Sequence, residues 1–313
     1  MTEQEIGNTI WGLGQIGVQF SSANRSALDK LYGSIVNLEN SLQRQAIVAI
    51  LQGLSCSGDL TWSGLNKHLR EVLLLNIERS MASSSSCSED AKFASNVINC
   101  LGKFRAQWNN GDDLSDGFKA ILLRKLELFK VGGEKEQAGG IVSLATNGFC
   151  RMGVSWEQIC DVFTFDSNGK TEMMNRTIFA ESVDLMSTNE LANILWSLGM
   201  RRTKWTEIRG GVGGAVLGRF ISIGNDMSAY EFTWSMWALA RMELRWCEDF
   251  DKDQCSKIMQ IAADVVDTSL PEQEIGVLLW ALVKLQAPPQ EFSRSLKQLF
   301  VDNIEYILIA KNR

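Results

Sequence analysis

Two recurring positions in this 313-residue chain could hold a nucleotide polymer. One carries Trp11, Val48, Asn99, Asn147, Trp196, Trp237 and Trp280. Four residues further on stand Gln15, Gln52, Lys103, Arg151, Met200, Arg241 and Lys284. Residues four apart share one face of a helix. Stacked copies would present a ladder of planar rings or amides beside cations. Bases of single-stranded RNA stack on such rings and hydrogen-bond to amides, while cations meet phosphates. The other placement for the tryptophans, and the usual one for a large apolar ring, is against a paired helix with the basic stems lying over them.

A second cationic candidate is the run Met200-Arg201-Arg202-Thr203-Lys204-Trp205, with Arg209 beyond it. Arg201, Arg202 and Lys204 fall in a turn between helices, where they could grip a phosphate backbone. Lys67, His68 and Arg70 form a weaker cluster that reads as a solvated helix face. Against these stands the acidic segment from Glu248 to Asp253, which would repel RNA and suits solvent or a basic protein partner.

Other chemistry finds little support. The glycine-rich stretch Arg209-Gly210-Gly211-Val212-Gly213-Gly214-Ala215 lacks the spacing and the terminal Lys-Ser/Thr of a phosphate loop. A turn or close helix packing is expected there. Hydrolase, metalloprotease and kinase signatures are absent. The one histidine, His68, and seven cysteines without a CxxC pair argue against a zinc site. These cysteines read as small apolar residues in a reducing compartment. The expectation is a protein that is not an enzyme, with no cofactor, no metal and no small-molecule substrate.

The composition, 45% hydrophobic and 22% charged, is that of a chain able to bury a large core. The net charge of −6 and pI near 5.1 weigh against a dedicated nucleic-acid binder, which is usually basic. No apolar run reaches the ~20 residues of a membrane span. The start, MTEQEIGNTI, shows no transit peptide or signal core, which fits a cytoplasmic chain or one whose targeting segment is missing.

The elements that must position the ladder are copies of one helix. With the small residue after the first column as anchor, the copies are GLGQIGVQF, AILQGLSCS, CLGKFRAQW, GFCRMGVSW, SLGMRRTKW, ALARMELRW and ALVKLQAPP. Their anchors, Gly12, Ala49, Cys100, Gly148, Ser197, Ala238 and Ala281, lie 37, 51, 48, 49, 41 and 43 residues apart. The small residue admits a neighbouring helix, and an aromatic eight positions on closes the turn except in the second and seventh copies. A second amphipathic helix follows, as over 26–38, 65–77, 114–129 and 292–308. The polar residue after the aromatic, as in Trp62-Ser63, Trp108-Asn109 and Trp205-Thr206, is expected to cap it. First helices should start at Ser187 to Leu191 and Thr268 to Glu272. A serine-rich loop is expected over 82–90 and a glycine-rich turn over 132–140. Such helical pairs cannot bury their faces alone and must stack. The chain thus reads as all-α, an α-solenoid of about seven helix–turn–helix units over 1–313. The approximate units are 3–36, 37–81, 88–131, 133–181, 186–223, 225–266 and 268–310. Solenoid ends expose core, so Ile6 and Ile10 at one end and Leu296, Phe300, Ile304 and Ile307 at the other should form open apolar surfaces.

The segments NTIWGLGQIGV, NELANILWSLGM and PEQEIGVLLWALVKLQAPP resemble the first helix of octotricopeptide repeats, and the related heptatricopeptide and RAP-associated helical arrays are similar. The resemblance implies a right-handed superhelix in a mitochondrion or chloroplast. It also implies a non-catalytic role in organellar RNA maturation, stability or translation, with single-stranded RNA or rRNA as partner. The alternative it implies is a scaffold among other proteins of a large assembly such as an organellar ribosome.

Overall fold

The repeated helix appears where the anchor pattern places it. The computed structural model describes residues 1–20, 25–38, 41–83, 86–111, 113–132, 137–163, 178–208, 211–267, 270–299 and 301–302. Every regular element among the described residues is helical, so the fold is all-α. The chain divides into two compact units, Met1–Phe165 and Asp166–Arg313, and the division falls inside the expected fourth repeat.

In the first unit α1 (Glu3–Gln15), α3 (Arg44–Cys56), α5 (Cys87–Lys103) and α7 (Ala138–Arg151) pack side by side as one layer. A second layer holds α2 (Arg25–Val36), α4 (Lys67–Ala82), α6 (Asp116–Gly132) and α8 (Trp156–Phe163), each packed on its first-layer partner. The second unit repeats the plan. There α10 (Thr188–Arg201), α12 (Ala229–Arg241) and α15 (Glu272–Lys284) form the first layer. Against α10 and α12 lie α11 (Val212–Ile223) and α14 (Lys252–Asp267), while α9 (Ile178–Val183) packs on α11 and the short α13 (Trp246–Asp249) precedes α14.

All seven first helices end in the same way. Five residues after the anchor the backbone turns left-handed, at Gly17, Gly58, Arg105, Gly153, Arg202, Glu243 and Gln286. At Arg105, for example, its own N–H donates to the Gly102 carbonyl and the next N–H, Ala106, donates to that of Leu101. The same two bonds recur at Gly17, Gly153, Arg202, Glu243 and Gln286. They satisfy carbonyls that a helix end otherwise leaves unpaired.

This turn corrects the register of the second copy. Gly58 takes the left-handed place only if the anchor is Gly53, one helical turn beyond Ala49. The missing aromatic is then Trp62, delayed by one extra turn residue. Its N–H donates to the carbonyl of Phe104 at 2.9 Å, as Trp108 does to Met152, Trp205 to Met242 and Trp246 to Leu285. In each case the acceptor lies four residues past the next anchor.

Between first-layer helices the backbones nearly touch. A Cβ on Gly53 would collide with the Ile10 carbonyl, and one on Gly148 with the equivalent carbonyl of Ile98. A Cβ on Gly102 would lie 2.6 Å from the Gly148 oxygen, and one on Gly199 2.7 Å from the Ala238 Cα. A small residue at one anchor, facing a glycine two positions past the preceding anchor, therefore sets the spacing at these contacts, whereas the anchor Gly12 meets nothing.

Several local expectations change. Asn66, not Ser63, caps α4 through its side chain, and Ser115 rather than Asn109 bonds the Phe118 N–H near the start of α6. After Trp205 comes a 3-10 turn, and α11 starts from Gly211. The serine-rich loop is shorter than 82–90, because Ser86 caps α5 and 87–90 are its first turn. Gly139 and Gly140 lie within α7 rather than in a turn. Gly213 packs beside the Trp205 ring, as the close-packing reading of that glycine-rich stretch expects. Ser187 and Glu190 form a capping box on α10, whereas 268–269 lie outside the described residues. Ile6, Ile10 and Leu296 are fully buried, not open. Phe300, Ile304 and Ile307 lie outside the described residues, as does Arg209. No helix of the described residues is long and apolar enough to cross a membrane.

Candidate nucleic-acid interface

Each first-layer helix presents an outward stripe. It consists of positions eight, four and one before the anchor and three after it, which a 100° step places within a narrow arc. On α1 these are Gln4, Asn8, Trp11 and Gln15; on α3, Gln45, Ala49, Gln52 and Cys56; on α5, Lys92, Asn96, Asn99 and Lys103. On α7 they are Gly140, Leu144, Asn147 and Arg151. In the second unit they are Asn189, Asn193, Trp196 and Met200 on α10, Tyr230, Trp234, Trp237 and Arg241 on α12, and Gln273, Val277, Trp280 and Lys284 on α15. Only Asn147 of these is buried.

The stripe contains no Asp or Glu but five cations, Lys92, Lys103, Arg151, Arg241 and Lys284, in a chain of net charge −6. The first-turn carboxylates of the same helices lie off it. Glu5, Glu190 and Glu231 are occupied in capping boxes with Thr2, Ser187 and Ser228.

The tryptophans split into two classes. Those of the stripe reach solvent: Trp11 is 45% and Trp280 42% exposed, and Trp196 and Trp237 are half-buried. The expected burial falls instead to the turn aromatics Phe20, Trp62, Trp108, Trp156 and Trp246. The Trp62 indole N–H donates to the Asp113 carbonyl at 3.1 Å, and that of Trp246 to Glu291 at 2.9 Å.

The corrected register moves Gln52 from the second column into the first, where it replaces Val48. The position before the anchor then reads Trp11, Gln52, Asn99, Asn147, Trp196, Trp237 and Trp280, a planar ring or amide in every copy. Gln15 faces Cys56 of the next helix, Nε2 to Sγ 3.8 Å. The Gln52 amide donates to Asn96 on α5 at 3.4 Å. Arg151 Nε donates to Asn147 Oδ1 at 2.8 Å, and its pKa is lowered by partial burial and then by the neighbouring Arg105 charge. The Arg241 guanidinium lies 4.9 Å over the Trp237 ring and donates to the Gly199 carbonyl at 3.3 Å. Lys103 is half-buried and Lys284 exposed, each in the last turn of its helix, where a cation also complements the helix dipole.

The basic turn is a separate feature. Arg201 ends α10, Arg202 is the left-handed cap, and Lys204 lies 3.9 Å from Glu243 of the following turn, so part of its charge is already matched. Lys67 and His68 share Glu71 on the exposed face of α4. The acidic segment serves local structure. Glu248 pairs with Arg245 at 2.9 Å, Asp249 accepts the Arg245 N–H, and Asp251 accepts that of Gln254.

A groove of about 720 Å³ crosses α1, α3 and α5 on the stripe. Trp11, Asn8, Gln45, Gln52, Lys92 and Asn96 line it, together with the off-stripe carboxylate Glu89. Arg44 also faces it. Its guanidinium lies 5.3 Å over the Phe93 ring, pairs with the buried Asp90 at 2.6 Å and donates to the Ser80 carbonyl. Asp90 also binds Lys125 at 2.6 Å, so this ion cluster ties α3, α5 and α6 together.

Sequence reasoning missed Lys92, Asn96, Tyr230 and Trp234. Their signal was the four-residue spacing continued toward the helix start. No cluster of side chains able to hold a metal occurs among the described residues. No protein-family model matches the sequence, and neither does any curated protein.

Proposed function

We propose that this chain is a non-catalytic helical-repeat protein that binds single-stranded RNA along the outward stripe of its first-layer helices. The carrying observation is the absence of carboxylates from a stripe with five cations, in an otherwise acidic chain. Planar groups that reach solvent in six of the seven copies suit bases, and cations at the helix ends suit phosphates. The resemblance to octotricopeptide repeats extends this reading to a right-handed α-solenoid acting on organellar RNA maturation, stability or translation in a mitochondrion or chloroplast.

The test is the salt dependence of binding to a single-stranded RNA pool. Lys92, Lys103 and Lys284 hold no ion-pair partner among the described residues, so replacing all three by Gln leaves the fold's ion pairs intact. Each lost phosphate contact should reduce the slope of log K against log salt by ~0.7, and the triple variant by ~2. An unchanged slope removes the stripe from the interface. The second reading, a scaffold subunit of a large assembly such as an organellar ribosome, draws on the exposed apolar groups Met200, Trp280 and Val283, the last 68% exposed. Aromatic anchors of this type dominate protein interfaces.

A further inference from the structure

We propose that the two units handle RNA differently: the first reads base identity through side-chain amides, and the second holds bases by stacking without reading them. This rests on the RNA-binding reading of the stripe. In the first unit the stripe carries eight amides, all but Asn147 reaching solvent, and one aromatic; in the second it carries three amides and five aromatics.

An amide offers a donor and an acceptor in one plane, so it pairs differently with each base edge. Every base has a π-face, so stacking on a ring tolerates any sequence. The groove on α1, α3 and α5 combines the parts of a reading site. Trp11 supplies an exposed ring, Gln52 and Asn96 bring amides from adjacent helices to 3.4 Å, and Lys92 supplies a cation. With no base present Gln52 donates to Asn96 Oδ1 over a long bond, which a base edge can replace, while the Asn96 amide nitrogen donates to the Lys92 carbonyl at 2.8 Å and holds the side chain in place.

The equivalent places in the second unit are Trp196 on α10 and Trp234 on α12. Trp234 belongs to a ribbon along α12. Its ring lies 5.9 Å from Tyr230 and 5.5 Å from Trp237, and Arg241 covers Trp237. No amide lies on the α12 stripe. Such a surface offers rings and a cation but no pattern of donors and acceptors.

The test is to select bound molecules from a random single-stranded RNA pool and sequence them, with three full-chain proteins of verified helicity. The unaltered protein should enrich a short motif. The Gln52→Met, Asn96→Leu pair keeps side-chain bulk and removes the amides; it should change or erase the motif. Trp280→Ala, at an exposed position, should weaken binding roughly 5- to 100-fold on every sequence alike and leave the motif in place. A bound pool with no motif, or a motif that follows Trp280 and ignores Gln52 and Asn96, overturns the division while RNA binding stands. No RNA retained at low salt by the folded protein overturns the RNA-binding reading as well.

Discussion

The two units end their first helices identically and differ in what the helices show to solvent. Both use the left-handed turn five residues past the anchor, and both bond a turn aromatic to the next copy. Yet the first unit joins its helices glycine on glycine, at Gly14 with Gly53 and Gly102 with Gly148, and shows amides. The second joins Gly199 to Ala238 and shows rings. The spine is thus set by backbone contact, which tolerates few residue types, and the turn by a backbone conformation that Gly, Arg, Glu and Gln all adopt here. The stripe touches neither, and its chemistry is free to diverge.

The largest expected effect lies in the spine. Gly148→Ala puts a methyl group into the Ile98 carbonyl, and overpacking against backbone should cost about 3 kcal/mol. Gly12→Ala, which meets nothing within 4 Å, should gain up to ~1 kcal/mol from helix propensity. Chemical denaturation of both variants checks the contrast. Equal effects would mean that the close approach at Gly148 does not set the spacing.

Thiols can assign such damage to one unit. Burial above all pushes Cys100 up to about 12, and Cys255 in the second unit up to about 11. Both remain protonated at pH 8 and should resist alkylation, while the exposed Cys56 and Cys247 react. In Gly148→Ala, Cys100 should become reactive at a lower denaturant concentration than Cys255. Simultaneous exposure would show that the units unfold together.

A smaller effect is expected at the turn. Arg202 and Glu243 occupy a conformation that costs a side-chain-bearing residue roughly 1 kcal/mol. Arg202→Gly and Glu243→Gly should each raise stability by about that much, read as a shift in Tm. The smallest concerns the exposed Lys204–Glu243 pair, where Lys204→Gln should change stability by less than about 0.5 kcal/mol.

The helical class and the repeated first helix were legible because small anchors and turn aromatics recur under steric constraint. The register of the second copy was not. Ala49 imitates an anchor, and the extra residue before Trp62 hides the aromatic, although Gly58 marks the turn. The tryptophans were legible as a set but not as two classes. Burial follows from which ring meets the second layer, and the hydrophobicity of a ring does not say so. For the candidate site, Arg151, Arg241 and Lys284 could be placed from a four-residue spacing, whereas the Gln52–Asn96 meeting needs the packing of α3 on α5.

Ultraviolet crosslinking of bound single-stranded RNA, with the modified peptides mapped by mass spectrometry, addresses the outward stripe most directly. Adducts should fall on the first-layer helices, at Trp11, Trp237 and Trp280 and their stripe neighbours. Adducts confined to second-layer helices, or to the basic turn at Arg201 and Arg202, would contradict the stripe as the RNA-binding surface.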